Sequence, residues 1–245
     1  MKMNVKGLVI RQTHVGDYDR AVSILTHEHG IVKAFANGAR RLKSRKMSST
    51  GLLCYAEFSL SKTKDTYKID EASPISIFYG LRFDIEALSL AEYFCELCQT
   101  FVEEEYTTDD YLPLILNSLA FLENKKRPLR LIKAVTELRL LTASGYMPDL
   151  SGCDCGNGAP FKFDIENGIL CCNDCIEPDA RQVITLNNTV VTAMRFITSC
   201  PFEKLYNFTL PDNDLELLVY TCEQYVLARA EHNLKSLQFY NSIRI

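Results

Sequence analysis

The sequence predicts an α+β protein, in which a small N-terminal β-barrel is followed by an all-helical domain that carries an inserted cysteine-rich segment. Three observations support this fold class. β-rich runs fill roughly the first 80 residues, apolar residues then recur at helical spacing, and five of the ten cysteines fall between residues 153 and 175. With 47% hydrophobic residues among 245, the chain has enough apolar side chains to bury a core.

The barrel is predicted over residues 1–79 from five short β-rich runs. These runs span residues 5–13, 20–26, 31–36, 53–61 and 67–72. Turn residues at 27–30 and at 62–66 join neighbouring runs as hairpin turns do. Five short strands without a long helix between them favour a small closed barrel, although an SH3-like barrel would give a similar pattern.

The helical domain is predicted over residues 80–245, because the period of the apolar residues changes to steps of three and four. Apolar stripes of this kind cover residues 81–102, 111–123, 129–141, 186–197 and 215–229. Acidic and polar residues at 103–110 are expected to separate the first two helices. Helices on both sides of the cysteine-rich segment are expected to pack as one bundle, so residues from about 150 to 178 form an insertion within it.

Four residues of the helical domain carry specific expectations. Gly145 is expected to end the third helix and Asp212 to cap the last one, because glycine favours the position after a helix and aspartate the position before it. Cys95 and Cys98 have Cys-x2-Cys spacing, but they lie on the first apolar stripe. We therefore expect them to be buried thiols rather than metal ligands.

The inserted segment has cysteine clusters that indicate a metal site. Two close clusters joined by a short spacer resemble a zinc ribbon, in which four thiolates surround Zn²⁺. The first cluster is Cys-x-Cys rather than the usual Cys-x2-Cys, and the second offers three sulfurs. We expect the ligands to be Cys153, Cys155, Cys172 and Cys175, with Cys171 as an available substitute. A disulfide knot and buried thiols without a metal are the alternatives.

The residue types favour a structural metal over a catalytic one. A catalytic zinc site usually includes histidine or a carboxylate and keeps one position open. The histidines lie elsewhere in the sequence, at His14, His27, His29 and His232. The N-terminus lacks the apolar core of a secretory signal, and no apolar run approaches the ~20 residues of a membrane span. We therefore expect a cytoplasmic protein without a membrane partner, in a compartment that disfavours disulfides.

Charge is distributed unevenly along the chain. The whole chain has a formal net charge of −4, but residues 1–80 contain 13 Lys and Arg against 7 Asp and Glu, a net charge of +6. Residues 81–150 and 151–245 each have a net charge of −5. A basic N-terminal third joined to an acidic remainder favours a polyanion as the partner of one surface and different partners elsewhere.

A short basic segment concentrates this charge. Residues 40–46 hold five cations in seven positions, which are Arg40, Arg41, Lys43, Arg45 and Lys46. The segment lies between predicted strands, so we expect a solvent-facing loop whose cations neutralise phosphates. Arg11 and Lys33, on neighbouring strands, are expected to extend it. A loop that only keeps the barrel soluble is the alternative, but the basic surroundings favour nucleic acid.

Several short segments occur in a defined order along the chain. They are VIR and DYDR at residues 9–11 and 17–20, LTHEHG at 25–30, ANGARR and KSR at 36–41 and 43–45, LL and GYMPDL at 140–141 and 145–150, and NGILC at 167–171. Together they resemble the RecO family of bacterial recombination mediators. The segments occur in the family's order from residue 5 to about residue 175. The last 70 residues match only as a generic helical tail.

The resemblance implies an N-terminal OB-fold, a helical C-terminal domain and a zinc ribbon that many members have. It also implies binding of single- and double-stranded DNA, with localisation at the nucleoid, and annealing of complementary strands. With its partner RecR, such a protein helps RecA to replace single-strand-binding protein, whose acidic C-terminal tail docks on the helical domain. The Cys-x-Cys cluster and the doubled Cys171-Cys172 depart from the family pattern and leave the fourth ligand open.

Two other classes of function compete with this interpretation. One is a zinc-dependent enzyme that processes nucleic acid, and the other is a metal- or redox-sensing transcription regulator. The sequence shows no nucleophile–base arrangement, glycine-rich phosphate loop or acidic metal cluster, which disfavours an enzyme. A regulator would read DNA bases with a helix, whereas the cations here lie between strands. We therefore expect a binding protein and not an enzyme.

Overall fold

The computed structural model describes residues 2–64, 66–103, 110–153, 155 and 160–244. The chain divides into two compact units. The first comprises Met1–Asn124 and Lys235–Ile245, and the second comprises Lys125–Leu234. The α+β fold class is confirmed, because a barrel occupies the N-terminal part and helices dominate the remainder. The domain boundary at residues 79 and 80 stays a prediction.

Five strands form a closed barrel in the order β1-β2-β3-β5-β4. The strands are β1 (Lys2–Val15), β2 (Asp19–Thr26), β3 (Ile31–Ala36), β4 (Cys54–Lys62) and β5 (Tyr67–Ile77). Neighbours pair antiparallel except β3 and β5, which close the barrel through a short parallel pairing. The long first strand pairs with both β2 and β4, and an irregularity in its register with β2 between Val9 and Arg11 lets it bend around the core. The predicted five-stranded barrel is confirmed.

Alternating side chains fill the barrel. Val9, Ile24, Phe58, Leu60 and Ile69 are all fully buried inside it. Between β3 and β4 the chain forms a longer connection, residues 37–53, which includes the short helix α1 (Lys46–Ser49). The sequence pattern predicted a loop here, because four residues are too few to show helical periodicity.

Three longer helices belong to the first unit: α2 (Ile85–Phe101), α3 (Tyr111–Asn124) and α7 (Lys235–Ile243). A 3₁₀ turn over Tyr79–Phe83 leads into α2, whose first turn is capped by Asp84 accepting from the Ala87 amide at 3.0 Å. Cys95 and Cys98 are buried in α2, as predicted, and burial raises the pKa of the Cys98 thiol. Most of the predicted break at 103–110 lies outside the described residues.

Helix α7 was not predicted. It packs against α2, and its N-terminus is held by the Glu96 carboxylate, which accepts hydrogen bonds from the Lys235 and Ser236 amides at 3.1 and 2.9 Å and from the Ser236 hydroxyl. Leu237 and Tyr240 are the buried residues of the helix. A carboxylate suits this position because the first amides of a helix lack partners within the helix.

The second unit packs α4 (Leu129–Ala143) with α5 (Asn188–Ser199) and α6 (Asp212–Arg229). Gly145 ends α4 with a φ of +84°, and the amides of Gly145 and Tyr146 donate back to Thr142 and Leu141, which confirms the predicted helix end. Asp212 was predicted to cap α6, but Pro211 occupies that position without a side-chain bond. Helices from both sides of the inserted segment thus pack together, as predicted, while α2, α3 and α7 belong to the first unit.

A buried ion triad connects α4 and α6. The Lys133 ammonium lies 2.7 Å from Glu137 and 2.8 Å from Glu223, and the Lys133 and Glu137 side chains are fully buried. Burial alone would lower the pKa of Lys133, but the two carboxylates outweigh it and raise that pKa. The triad therefore keeps its lysine charged well into alkaline solution.

The inserted segment folds as a three-stranded sheet in the order β7-β6-β8. Its strands are β6 (Phe161–Asp164), β7 (Ile169–Cys172) and β8 (Val183–Leu186). The sequence predicted β6 and the turn at Asn167-Gly168, where Gly168 has a φ of +68°. It did not predict β8, and Leu186, which was assigned to a helical stripe, lies on that strand. No helix in the described part of the chain is long and apolar enough to cross a membrane.

Candidate nucleic-acid interface and metal centre

Two predicted DNA-binding residues lie on either side of Ser23 on the outside of the barrel. Arg11 on β1 is paired with Ser23 on β2, and Ser23 is paired in turn with Lys33 on β3. Residues paired in this way lie on one face of a sheet, and both cations are exposed. They border a shallow groove of about 310 Å³ that Phe35 and Thr66 also line. The barrel therefore places Arg11 and Lys33 on one exposed surface.

The turn between β1 and β2 holds the first two cations of the 37–53 connection. The Arg40 amide donates to the Tyr18 carbonyl at 2.9 Å, and its guanidinium donates to the Gly16 carbonyl at 3.3 Å. The Arg41 guanidinium lies 5.3 Å from the centroid of the Tyr18 ring, within the range of a cation–π contact. Arg40 and Arg41 are thus oriented by backbone and ring contacts, and neither has a counterion within the described part of the chain.

The remaining cations of the connection differ in how they are held. Lys43 and Arg45 are exposed. Lys46 begins α1, and its ammonium donates to the Ile69 carbonyl of β5 at 3.1 Å, so part of its function is to fix the connection to the barrel. Sequence spacing alone did not indicate that difference.

Most cations of this surface have no carboxylate partner among the residues that the structure describes. Among the described residues, no Asp or Glu lies within 4.0 Å of a charged nitrogen in six of the seven predicted DNA-binding cations. These six are Arg11, Arg40, Arg41, Lys43, Arg45 and Lys46. An intramolecular ion pair would have to be broken before a phosphate could bind, so its absence here leaves the cations available.

Two residues that the sequence analysis did not assign support this arrangement. Arg20 is buried, with 9% of its surface exposed, and donates to the Met47 carbonyl at 3.1 Å and the Thr50 hydroxyl at 2.9 Å. Asp19 accepts from the Gly38 amide at 2.7 Å. Burial first, and then the neighbouring Arg40, lower the pKa of Arg20. Both residues lie in the DYDR segment that carries part of the family resemblance, which was the available signal.

Four cysteines meet at one end of the inserted sheet. The sulfur atoms of Cys153, Cys155, Cys172 and Cys175 all lie within 4.8 Å of one another. Cys155 lies 3.0 Å from Cys153 and 3.3 Å from Cys172, measured between the sulfur atoms. A tetrahedral zinc site with bonds of about 2.3 Å separates its sulfurs by about 3.8 Å, so small movements would produce it. The structure brings together the four cysteines that the sequence analysis chose.

Cys171 lies outside this group. Successive residues of a strand point to opposite faces, so Cys171 and Cys172 on β7 diverge. The Cys171 thiol donates instead to the Lys162 carbonyl at 3.6 Å. No disulfide joins any of the cysteines that the structure describes, which disfavours the disulfide alternative.

The four thiols have the electrostatics of a cation site. A hydrogen bond from the Cys155 thiol is the main reason that the pKa of Cys172 falls to about 6, and a hydrogen bond with Cys172 is the main reason that the pKa of Cys175 rises to about 12. The first proton is therefore lost easily and the last is retained, because hydrogen bonds between the sulfurs hold it. A divalent cation would replace those protons. The Cys172 amide, which donates to the Cys153 sulfur at 3.3 Å, further suits a bound thiolate.

The fold and the two sites define a class of protein, which combines an OB-like barrel bearing exposed cations with a helical unit that carries a four-cysteine cluster. Comparison with protein families then gives the particular family. Residues 1–78 match the model described as recombination protein O N terminal, and residues 82–238 match recombination protein O C terminal. The chain belongs to the RecO family of DNA repair proteins.

Individual relatives agree with this family over nearly their whole length. The DNA repair protein RecO of Acetivibrio thermocellus is 32% identical, over 98% of this chain and 97% of the relative. The RecO proteins of Alkaliphilus metalliredigens and of Dehalococcoides mccartyi are 28% and 29% identical, with coverage of 99% and 98% of this chain. The resemblance stated from the sequence segments is confirmed.

Proposed function

We propose that this chain is a recombination mediator that binds single- and double-stranded DNA through the cations of its barrel and anneals complementary strands. With RecR, it promotes the loading of RecA onto DNA that single-strand-binding protein covers. Membership of the RecO family supports a role in DNA repair. The observation that carries the proposal is the set of six barrel cations that no described carboxylate neutralises.

The mechanism is electrostatic. Each lysine or arginine that meets a phosphate releases a condensed counterion, which favours binding without regard to base sequence. Two strands bound to one cationic surface repel each other less than they do in solution, so complementary bases can meet and pair. The remainder of the chain has a negative net charge, so we expect DNA to bind the barrel in preference to it. As the family resemblance implies, we propose RecR and the acidic C-terminal tail of single-strand-binding protein as protein partners.

We also propose that Cys153, Cys155, Cys172 and Cys175 hold a structural Zn²⁺. Zinc is the metal that four cysteine thiolates most often hold in this kind of segment, and such a site leaves no position for a substrate. The metal would supply folding free energy rather than a reactive water. This donor set supports a binding protein over the zinc-dependent enzyme considered above.

Charge reversal in the connection tests the DNA-binding proposal. Arg41, Lys43 and Arg45 suit it better than Arg40 and Lys46, which donate to backbone carbonyls. We expect the triple variant R41E/K43E/R45E to bind a single-stranded 30-mer at least tenfold more weakly and to anneal strands slowly. The salt dependence should fall by about 2 in slope, since each phosphate contact contributes about 0.7 on single strands. Fluorescence anisotropy over a salt series measures both quantities.

A matched control separates local charge from net charge. The variant K126E/R181E/K204E changes the net charge by the same amount at exposed positions of the second unit. We expect it to keep most of the affinity and an unchanged slope. Equal loss in the two variants, or full affinity in R41E/K43E/R45E at about 50 mM salt, would contradict the assignment.

A further inference from the structure

A larger groove of the first unit contains none of the predicted DNA-binding residues. It has a volume of about 740 Å³, within the range of about 300–1,000 Å³ that small-molecule sites occupy. Its walls come from β1 and β2, from the 37–53 connection, and from the segment that includes the Tyr79–Phe83 turn and the start of α2. The groove is therefore large enough to bind a small ligand, and it lies beside the basic connection.

One wall of the groove presents an aromatic ring beside a cation. Tyr79 is 55% exposed, and the Arg82 guanidinium lies 5.2 Å from the centroid of its ring. Single-strand-binding surfaces combine these two features, because a ring stacks on any base while an arginine meets the neighbouring phosphate. Burial of an exposed tyrosine ring against a base would also remove apolar surface from water.

The floor of the groove contains a buried guanidinium with unused hydrogen-bonding capacity. Arg20 lines the groove, is nine-tenths buried, and has an Nε group without a hydrogen-bond partner among the described residues. No described carboxylate pairs with it. A buried donor that lacks a partner is costly, and an anionic acceptor near this guanidinium would recover part of that cost.

The groove has the charge of a nucleotide site rather than of a peptide site. Arg20 and Arg82 are its cations, and Glu92 is its one carboxylate. The Glu92 carboxylate can accept a hydrogen bond from the amino group of a base, as carboxylates do from cytosine. An acidic peptide side chain offers no such donor. Ser44 and Ser48 extend the groove to the connection that carries Arg45.

We propose that this groove takes one unstacked nucleotide of a bound single strand, with its base against Tyr79 and its phosphate beside Arg82 and Arg20. This inference rests on the DNA binding proposed above. It adds a site that binds a base in addition to the phosphates. The cations of the connection bind phosphates of any strand, whereas the groove selects a strand whose bases are unpaired.

Oligonucleotides with and without bases test the groove. One probe is a 30-mer of deoxycytidine, and the other is a 30-mer of abasic spacers with the same phosphates. We expect the full-length protein to bind the first about tenfold more tightly, which corresponds to the contribution of one stacked base. Y79A should lose most of that preference by weakening only the deoxycytidine complex, and Y79F should keep it. R82Q should reduce the salt slope for both probes by about 0.7.

The possible results separate the two proposals. If Y79A melts like the unmodified protein and binds both probes with unchanged affinity, the groove proposal is wrong while DNA binding through the connection stands. Equal weakening on the two probes also overturns it, because stacking cannot act on an abasic strand. If the unmodified protein binds neither probe, the proposed function itself fails. An acidic peptide that binds the unmodified protein but not Y79A, while Y79A keeps its affinity for DNA, would assign the groove to a protein partner instead.

Discussion

At the scale of single residues, adjacent positions have different roles because the local backbone directs their side chains to different partners. Cys171 and Cys172 are adjacent in sequence, yet only the Cys172 sulfur belongs to the four-cysteine cluster. Arg40 and Arg41 are adjacent as well, and one contacts backbone carbonyls while the other contacts the Tyr18 ring. Residue identity alone therefore does not say which thiol or which cation is functional.

The two cysteines of β7 give a paired test of the metal site. We expect C172S to lose its bound zinc, since three thiolates remain, and to melt roughly 5–10 °C lower because structural zinc contributes folding free energy. C171S should keep about one zinc per chain and should melt close to the unmodified protein. Elemental analysis and thermal melts of both proteins check this. Zinc loss in C171S, or full zinc content in C172S, would show that the assignment of ligands is wrong.

At the scale of secondary-structure elements, the ion triad of α4 and α6 makes the second unit sensitive to alkaline pH. The pKa of Lys133 is raised in the folded protein. A raised pKa stabilises the fold fully below the unfolded value of about 10.5, and that contribution is lost as pH rises through the folded value. Buried carboxylates left without their lysine cost about 3–5 kcal/mol.

We therefore expect K133M to lower the free energy of unfolding by about 3–5 kcal/mol at pH 7. The difference between K133M and the unmodified protein should shrink as the pH rises above about 10.5 and through the raised folded pKa, because the lysine then loses its proton in the unmodified protein as well. Denaturant titrations at pH 7, 9 and 11 measure this, with K126M at an exposed position as the control. A difference that stays constant over this pH range would mean that the charge of Lys133 is not what stabilises the triad.

The sequence predicted those elements whose pattern lies within the element's own residues. The barrel strands alternate apolar and polar residues, and the end of α4 follows from Gly145. β8 was missed because Leu186 stands four residues before Val190 and so completes a helical stripe. Arg20 and Lys46 received no anchoring role because their partners Met47 and Ile69 lie 27 and 23 residues away in sequence. Tertiary contacts of this kind leave no periodic signal.

At the scale of the whole molecule, the predicted DNA surface and the cysteine cluster belong to different compact units. If the metal is structural, its removal should affect stability and not the affinity for DNA. We expect a strong chelator to lower the melting temperature while the binding of a single-stranded 30-mer at 20 °C keeps its affinity and its salt slope. Anisotropy and circular dichroism on the same sample check this. Loss of DNA binding in a protein that is still folded would instead mean that the metal is required for DNA binding.

The return of α7 to the first unit has a consequence for biosynthesis. The face of α2 that packs against α7 is covered only when residues 235–245 have been added. That happens after the whole second unit of about 110 residues has been translated. At about 5–20 residues per second, that face stays uncovered on the ribosome for roughly 5–20 seconds. A nascent chain stalled before Lys235 would therefore present an open helix surface to chaperones, and the first unit would mature only after α7 has been synthesised.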